Sequence, residues 1–263
     1  MSFQPVIPLA GYAGWTFLKR TMEKQQAALQ ATPANQRDEA YFRANIGKVN
    51  SARELVADRR LLKVALTAFG LEADIDAKAF LQKVLEGGTL KTDALANKLS
   101  DKRYQAFSAA FGFGDYATPR NKMSDFADKL LTAYNSKRFE TAVGGQNEAM
   151  RLALNTESEL GSLAAKTGSE DAKWYTILGN KPLRAVMQTA LGLPSSIAGI
   201  DIDKQLEMFK AKARSTFGEA TVSQFSEPET MARLVRTYLV RSEVSTQGPA
   251  LSAARTALQL LGR

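Results

Sequence analysis

The 263-residue chain contains no cysteine and no histidine. Without cysteine there is no disulfide, no thiolate nucleophile and no thiolate-held zinc. Without histidine the commonest general base and the commonest transition-metal ligand are missing. Any catalysis would have to run on Asp, Glu, Lys, Ser, Thr or Tyr, so the expectation is a protein that is not an enzyme, with no cofactor and no metal. No apolar run approaches the ~18 residues of a membrane-spanning helix, so no membrane insertion is expected. The opening residues MSFQPVIPLAGYAGW carry no basic leader, and Pro5 and Pro8 interrupt them. They do not read as a cleavable signal peptide, and the expected location is the cytoplasm, or export without a cleaved signal. Despite a net charge of +8 there is no long block of like charges. The basic balance therefore reads as a basic surface before it reads as a nucleic-acid arm. Period-two apolar runs are absent as well, and with them the signal for a sheet.

What the chain does contain is an internal echo. Asp58 to Leu71 reads DRRLLKVALTAFGL, and Asn180 to Leu193 reads NKPLRAVMQTALGL. Six positions are identical: Leu61/Leu183, Val64/Val186, Thr67/Thr189, Ala68/Ala190, Gly70/Gly192 and Leu71/Leu193. Leu61, Val64, Ala65 and Ala68 follow helical spacing, as do Leu183, Val186, Met187 and Ala190, and each run ends in a glycine suited to the left-handed position after a helix. A second helix is expected after each, near Asp74-Ile75-Asp76 and near Asp201-Ile202-Asp203. The offset between the copies grows there from 122 to 127 residues. The paired aspartates read as helix caps rather than metal ligands, because residues two apart on a helix do not face each other. DIDAKAF also lacks the rest of a calcium loop.

The eight prolines stand where helical patterns start or stop. Further helices are predicted over Arg37–Val56, from Thr92 to about Leu99, from Ser100 to Gly112, from Ser124 towards Val143, and over Gln146–Lys166. Ser226-Glu227-Pro228-Glu229 matches a capping box for one more. The expected fold is all-α, with about ten helices in two divergent pseudo-repeat units sharing one core. An N-terminal arm would span 1–36, a first unit 37–143, and a second unit with a C-terminal helix 144–263.

The runs YFRANIGKVNSARELVADRRLLKVALTAFGLEADIDAKAF, ALANKLSDKRYQAFSAAFGFGD, RFETAVGGQNEAMRLALN and KPLRAVMQTALGLPSS, with DIDKQLEMFK after the last, resemble a bacterial family known as domain of unknown function 1217. The resemblance extends from Gly11 to Arg241. Members occur largely in alphaproteobacteria and some are described as flagellar. The resemblance therefore implies a structural or assembly role, with flagellar components or further copies of the chain as partners. It implies no catalytic residue.

Two sets of candidate residues remain. Trp15, Leu18, Met22 and Leu29 fall on a heptad seam broken by Gln25, and Leu251, Leu258 and Leu261 fall on another with Ala254. Such seams suit partner helices, or docking on the protein's own core. Arg59, Arg60, Lys63, Lys102, Arg103, Lys137 and Arg138 could form an anion-binding patch, the alternative reading being a binder of nucleic acid or another polyanion. LANKLSDKRYQAF imitates a helix-turn-helix but lacks the turn glycine. Gly112-Phe113-Gly114-Asp115-Tyr116-Ala117 matches GxGxxA but follows a helix rather than a strand, so it reads as a helix end.

Overall fold

The chain is an all-α protein. The computed structural model describes residues 3–261, and the side chains of 3–244. Among these there is no strand. The helices are α1 (Gly11–Gln30), α2 (Pro33–Asn45), α3 (Ala52–Ala57), α4 (Arg59–Ala68), α5 (Lys78–Gly87), α6 (Leu95–Lys98), α7 (Lys102–Phe111), α8 (Phe126–Gly144), α9 (Glu148–Ala164), α10 (Glu170–Gly179), α11 (Lys181–Leu191), α12 (Ile202–Phe217) and α13 (Pro228–Leu261). By their contacts the residues form two compact units, 1–6 with 21–142, and 7–20 with 143–263. The stretch 1–36 is not a unit of its own, and each unit is described by itself below.

The echo becomes α4 and α11. Asp58 accepts the N–H groups of Arg60 and Leu61, and Asn180, at the same place in the repeat, accepts that of Leu183. Each thereby satisfies donors that a helix start leaves open. At the other end Gly70 and Gly192 adopt φ of 68° and 66°. Leu71 N–H then reaches Leu66 O at 2.9 Å, and Leu193 N–H reaches Gln188 O at 3.0 Å. This is the six-to-one closure of a Schellman end. The apolar stripe Leu61, Val64, Ala65 and Ala68 is buried, as is Leu183, Val186, Met187 and Ala190. Full burial of one such Leu or Val is worth roughly 1.5–3 kcal/mol. In the first unit α4 packs on α2 and α3; in the second α11 packs on α9, α10 and α13. A later arginine seals each helix end: Arg103 of α7 donates to Gly70 O, and Arg241 of α13 donates to Ala190 O at 2.6 Å. Cations there complement the negative end of the helix dipole.

Several expectations are corrected. Arg37–Val56 is not one helix. It breaks into α2, a 3-10 turn over Ile46–Lys48, and α3. The cause is Ser51, which accepts Glu54 N–H, while Glu54 accepts Asn50 N–H. Thr92 caps nothing, and α6 is a single turn starting at Leu95. Asp101, not Ser100, caps α7 by accepting Arg103 N–H, although Gly112 ends that helix in the left-handed region as expected. Asp201 does cap α12, accepting Asp203 and Lys204 N–H. Asp74 and Asp76 do not cap α5, which starts at Lys78. Asp74 instead accepts the Tyr104 hydroxyl at 2.9 Å, and Asp76 pairs with Arg59 at 2.6 Å. Ser226 lies in a 3-10 turn and donates to Ser223 O, so the capping box does not form.

Candidate docking groove

A concave, mostly apolar surface lies wholly in the first unit. It is a groove of about 450 Å³ between Phe69 at the end of α4, Ala110 of α7, the segment 120–125, and Phe126, Lys129, Leu130 and Ala133 of α8. Its floor is stiff. Phe126 packs edge-on against Phe111 at 5.1 Å, Phe111 against Phe107 at 5.4 Å, and Phe107 against Phe69 at 5.5 Å. Such aromatic pairs add about 0.5–1.5 kcal/mol each beyond their burial.

The lip is different. Met123 is 57% exposed, and its flexible thioether can adapt to an incoming side chain. Pro119 opens the 3-10 turn Arg120–Lys122 that presents it. Asn121, fully inside, donates to Ile46 O at 2.7 Å and Val49 O at 2.8 Å. Lys122 donates to Gly47 O and Asn50 Oδ1. The carbonyls freed by the break between α2 and α3 thus hold the segment that carries Met123. Two cations rim the groove. Arg120 lies over the Tyr116 ring at 4.9 Å and donates to its hydroxyl, and Lys129 pairs with Asp125 at 2.5 Å.

The seam expected at the N-terminus does not face solvent. Trp15, Leu18 and Leu29 are buried and Met22 is half-buried. Gln25, which interrupts the seam, is buried too, and its amide clasps Val6 from both sides: Val6 N–H donates to Gln25 Oε1 at 2.7 Å and Gln25 Nε2 donates to Val6 O at 3.1 Å. This helix buries its apolar face within the protein, as marginal helices do. The side chains of Leu251, Leu258 and Leu261 lie outside the described residues.

The residues named for an anion-binding patch all have partners. Arg59 pairs with Asp76, and Arg60 lies over the Tyr41 ring at 3.8 Å. Lys63 faces Asp38 at 4.0 Å, and Lys102 donates to Asn97 O. Arg103 holds Asp101 and Gly70 O. Lys137 pairs with Glu140, and Arg138 donates to buried Asn35 and to the Tyr134 hydroxyl. Each has a partner in its own unit, though Arg59, Lys63 and Arg103 stay about half exposed. Arg103 seals α4, and Tyr104, its pKa pushed up to about 12 by burial and by its bond to Asp74, packs inward. A second, polar hollow of about 310 Å³ is lined by Gln26, Gln30, Glu39, Arg43 and Asn135 among others.

The profile of the family described as "Protein of unknown function (DUF1217)" matches residues 68–231. The chain belongs to the DUF1217 family. The matched stretch holds all of the groove. It is also similar in fold, with a TM-score of 0.74, to the crystal structure of protein AGR_C_984 from Agrobacterium tumefaciens, a structural genomics target. The two share 25% sequence identity over 92% of this chain and 99% of that one. No curated protein matches the sequence.

One cluster in this DUF1217 chain resembles catalytic machinery. Lys173, only 6% exposed, donates to Ser223 Oγ at 2.5 Å, to Glu170 Oε1 at 3.0 Å and to Ala164 O at 3.2 Å. A lysine that activates a serine needs a free lone pair. Here all three ammonium hydrogens have acceptors, and one acceptor is a carboxylate. Burial works to raise the Glu170 pKa. Bonds from the Ser223 hydroxyl, Lys173 and the Ser223 and Val222 N–H groups outweigh it and hold the group at about 2. The cluster is a charged clamp joining the start of α10 to the turn before α13. Among the described residues no group of acidic side chains is arranged to hold a metal, and no helix is long and apolar enough to cross a membrane.

Proposed function

We propose that this DUF1217 chain is a non-enzymatic structural or assembly protein that binds a protein segment in the groove of its first unit. The observation that carries this reading is the pairing of a rigid phenylalanine floor with the exposed Met123 lip. A pre-ordered apolar floor lowers the entropy lost on binding, and a methionine rim adapts to the guest. The saturated Lys173 clamp supports the non-enzymatic half of the reading. The flagellar setting rests on the family resemblance. Polyanion binding, the alternative, has less support, since the basic residues named for it already hold internal partners.

The test is site-specific photo-cross-linking in cells. A photoreactive residue at position 123 should give a discrete protein adduct. The same residue at position 90, where Leu90 is 66% exposed outside the groove, should not. Absence of an adduct at 123, or the same adduct at both positions, would refute docking in the groove.

A further inference from the structure

The second unit carries a surface that answers the groove. Residues 198–204, AGIDIDK, are exposed without interruption, and Ile200 and Ile202 remain 40% and 44% exposed among them. The internal repeat shows that this is not the only arrangement open to such a segment. Ile202 is the counterpart of Ile75, at the offset of 127. In the first unit Ile75 packs against the buried core, and α7 reaches its neighbour Asp74 through the Tyr104 hydroxyl. In the second unit the Tyr175 hydroxyl of α10 donates to Asp203, but after α12 the chain passes through one 3-10 turn, Ser223–Ser226, straight into α13 with no counterpart of α7. The apolar side chain that the first unit covers from within is left uncovered in the second.

We propose that the groove of the first unit receives residues 198–204 of a second copy of the chain, with Ile200 and Ile202 against its phenylalanine floor. This inference rests on the docking reading above and names its partner. Charge favours the match. The groove is lined by Arg120 and Lys129 with one carboxylate, Asp125, while the segment carries Asp201 and Asp203 with one ammonium, Lys204. Shape favours it as well. The segment is extended at Ile200, with φ −97° and ψ 167°, before α12 begins, so it offers a narrow apolar tip. Because the two surfaces differ, the contact can close as a reciprocal pair or repeat head-to-tail. Repeated head-to-tail, it propagates into rings or rods. A seven-residue segment in one groove is a small interface, so the association is weak and concentration-dependent.

Sedimentation velocity of the full chain, from a few micromolar to several hundred micromolar (about the range weak interfaces require), tests this. The wild type should shift to larger species as concentration rises. Met123→Glu and Ile202→Glu, both at exposed positions, should each remain monomeric, with association weakened at least about ten-fold by a charge placed in an apolar contact. Unchanged circular dichroism and melting would confirm that both are folded. An equimolar mixture of the two variants should form one-to-one dimers and nothing larger, because each supplies the surface the other lacks. A wild type that stays monomeric throughout would overturn the proposal, as would variants that associate like wild type or a mixture that does not dimerise. If the chain is monomeric but position 123 still cross-links to a different protein, the second-copy inference falls and the docking reading stands. If that adduct is missing too, both fall.

Discussion

The two units begin from the same helix and diverge just after it. Up to Gly70 and Gly192 they match in kind at each step: an Asx cap, the same buried stripe, a left-handed glycine, and an arginine sealing the end. Beyond that point the first unit inserts α6 and α7 and folds its Asp-Ile-Asp segment inward under Tyr104. The second unit lets the same motif start α12 directly, with Asp201 as its cap. An identical triplet therefore serves as a packed corner in one unit and as an exposed helix start in the other. What differs is not the triplet's own propensity but whether a later element arrives to cover it. Tertiary packing overrides local preference when both conformations are accessible.

The strongest challenge to this comparison is to truncate the shared stripe. Leu61→Ala and Leu183→Ala each remove a side chain that is 2% exposed. Each should destabilise the protein by roughly 2–5 kcal/mol, read by chemical denaturation. If only one of the two were costly, the units would not be equivalent at their cores.

The glycine ends sharpen it at a smaller scale. Gly70→Ala and Gly192→Ala should both lose about 1–2 kcal/mol from the left-handed backbone. The second should lose more. An added Cβ there meets Arg241 Nη1 at 2.8 Å, whereas at Gly70 the nearest atom, Arg103 Nη1, is 3.5 Å away. Equal melting shifts would contradict the role given to Arg241.

Acid probes the second unit by another route. Glu170 is held at about 2 against an ordinary value of 4.5. A carboxylate with a lowered folded pKa stabilises the fold fully above its unfolded pKa. That contribution fades as pH falls from about 4.5 through about 2. Both tryptophans, Trp15 and Trp174, belong to the second unit, so their fluorescence follows it. Wild type should lose second-unit stability over that window. Glu170→Gln should be less stable at neutral pH and flatter across it, and identical acid profiles would remove the clamp from the account. The smallest effect is expected at Ser226, where alanine should change stability by no more than about 0.5 kcal/mol, as at other exposed sites without a capping role. A loss near 1 kcal/mol would restore the capping box that the sequence suggested.

Much of the fold was legible in the sequence for a physical reason. Helix stripes, Asx caps and terminal glycines are local signals, and α4, α11 and the Asp201 start of α12 follow from them directly. The break between α2 and α3 was legible too, in Ser51-Ala52-Arg53-Glu54, but a continuous helical stripe across it concealed the cap. The groove was not legible. Its walls come from Phe69, Ala110, Met123 and Leu130, which share no period and meet only through the packing of three helices and a stapled turn. The basic residues misled in the opposite direction. Arg103 and Arg138 look like free charges in sequence, but one seals a helix end and the other holds a buried amide. The N-terminal seam was a true apolar stripe whose cover proved to be the protein itself.

The most direct measurement follows the methyl group of Met123 by nuclear magnetic resonance. The chain has seven methionines, few enough to resolve after methyl labelling. Unlabelled wild-type chain, added in excess, should shift the Met123 methyl, while buried Met150 and Met187 stay in place. Unlabelled Ile202→Glu should leave it unmoved. A Met123 methyl indifferent to both, or equally responsive to both, would contradict the account.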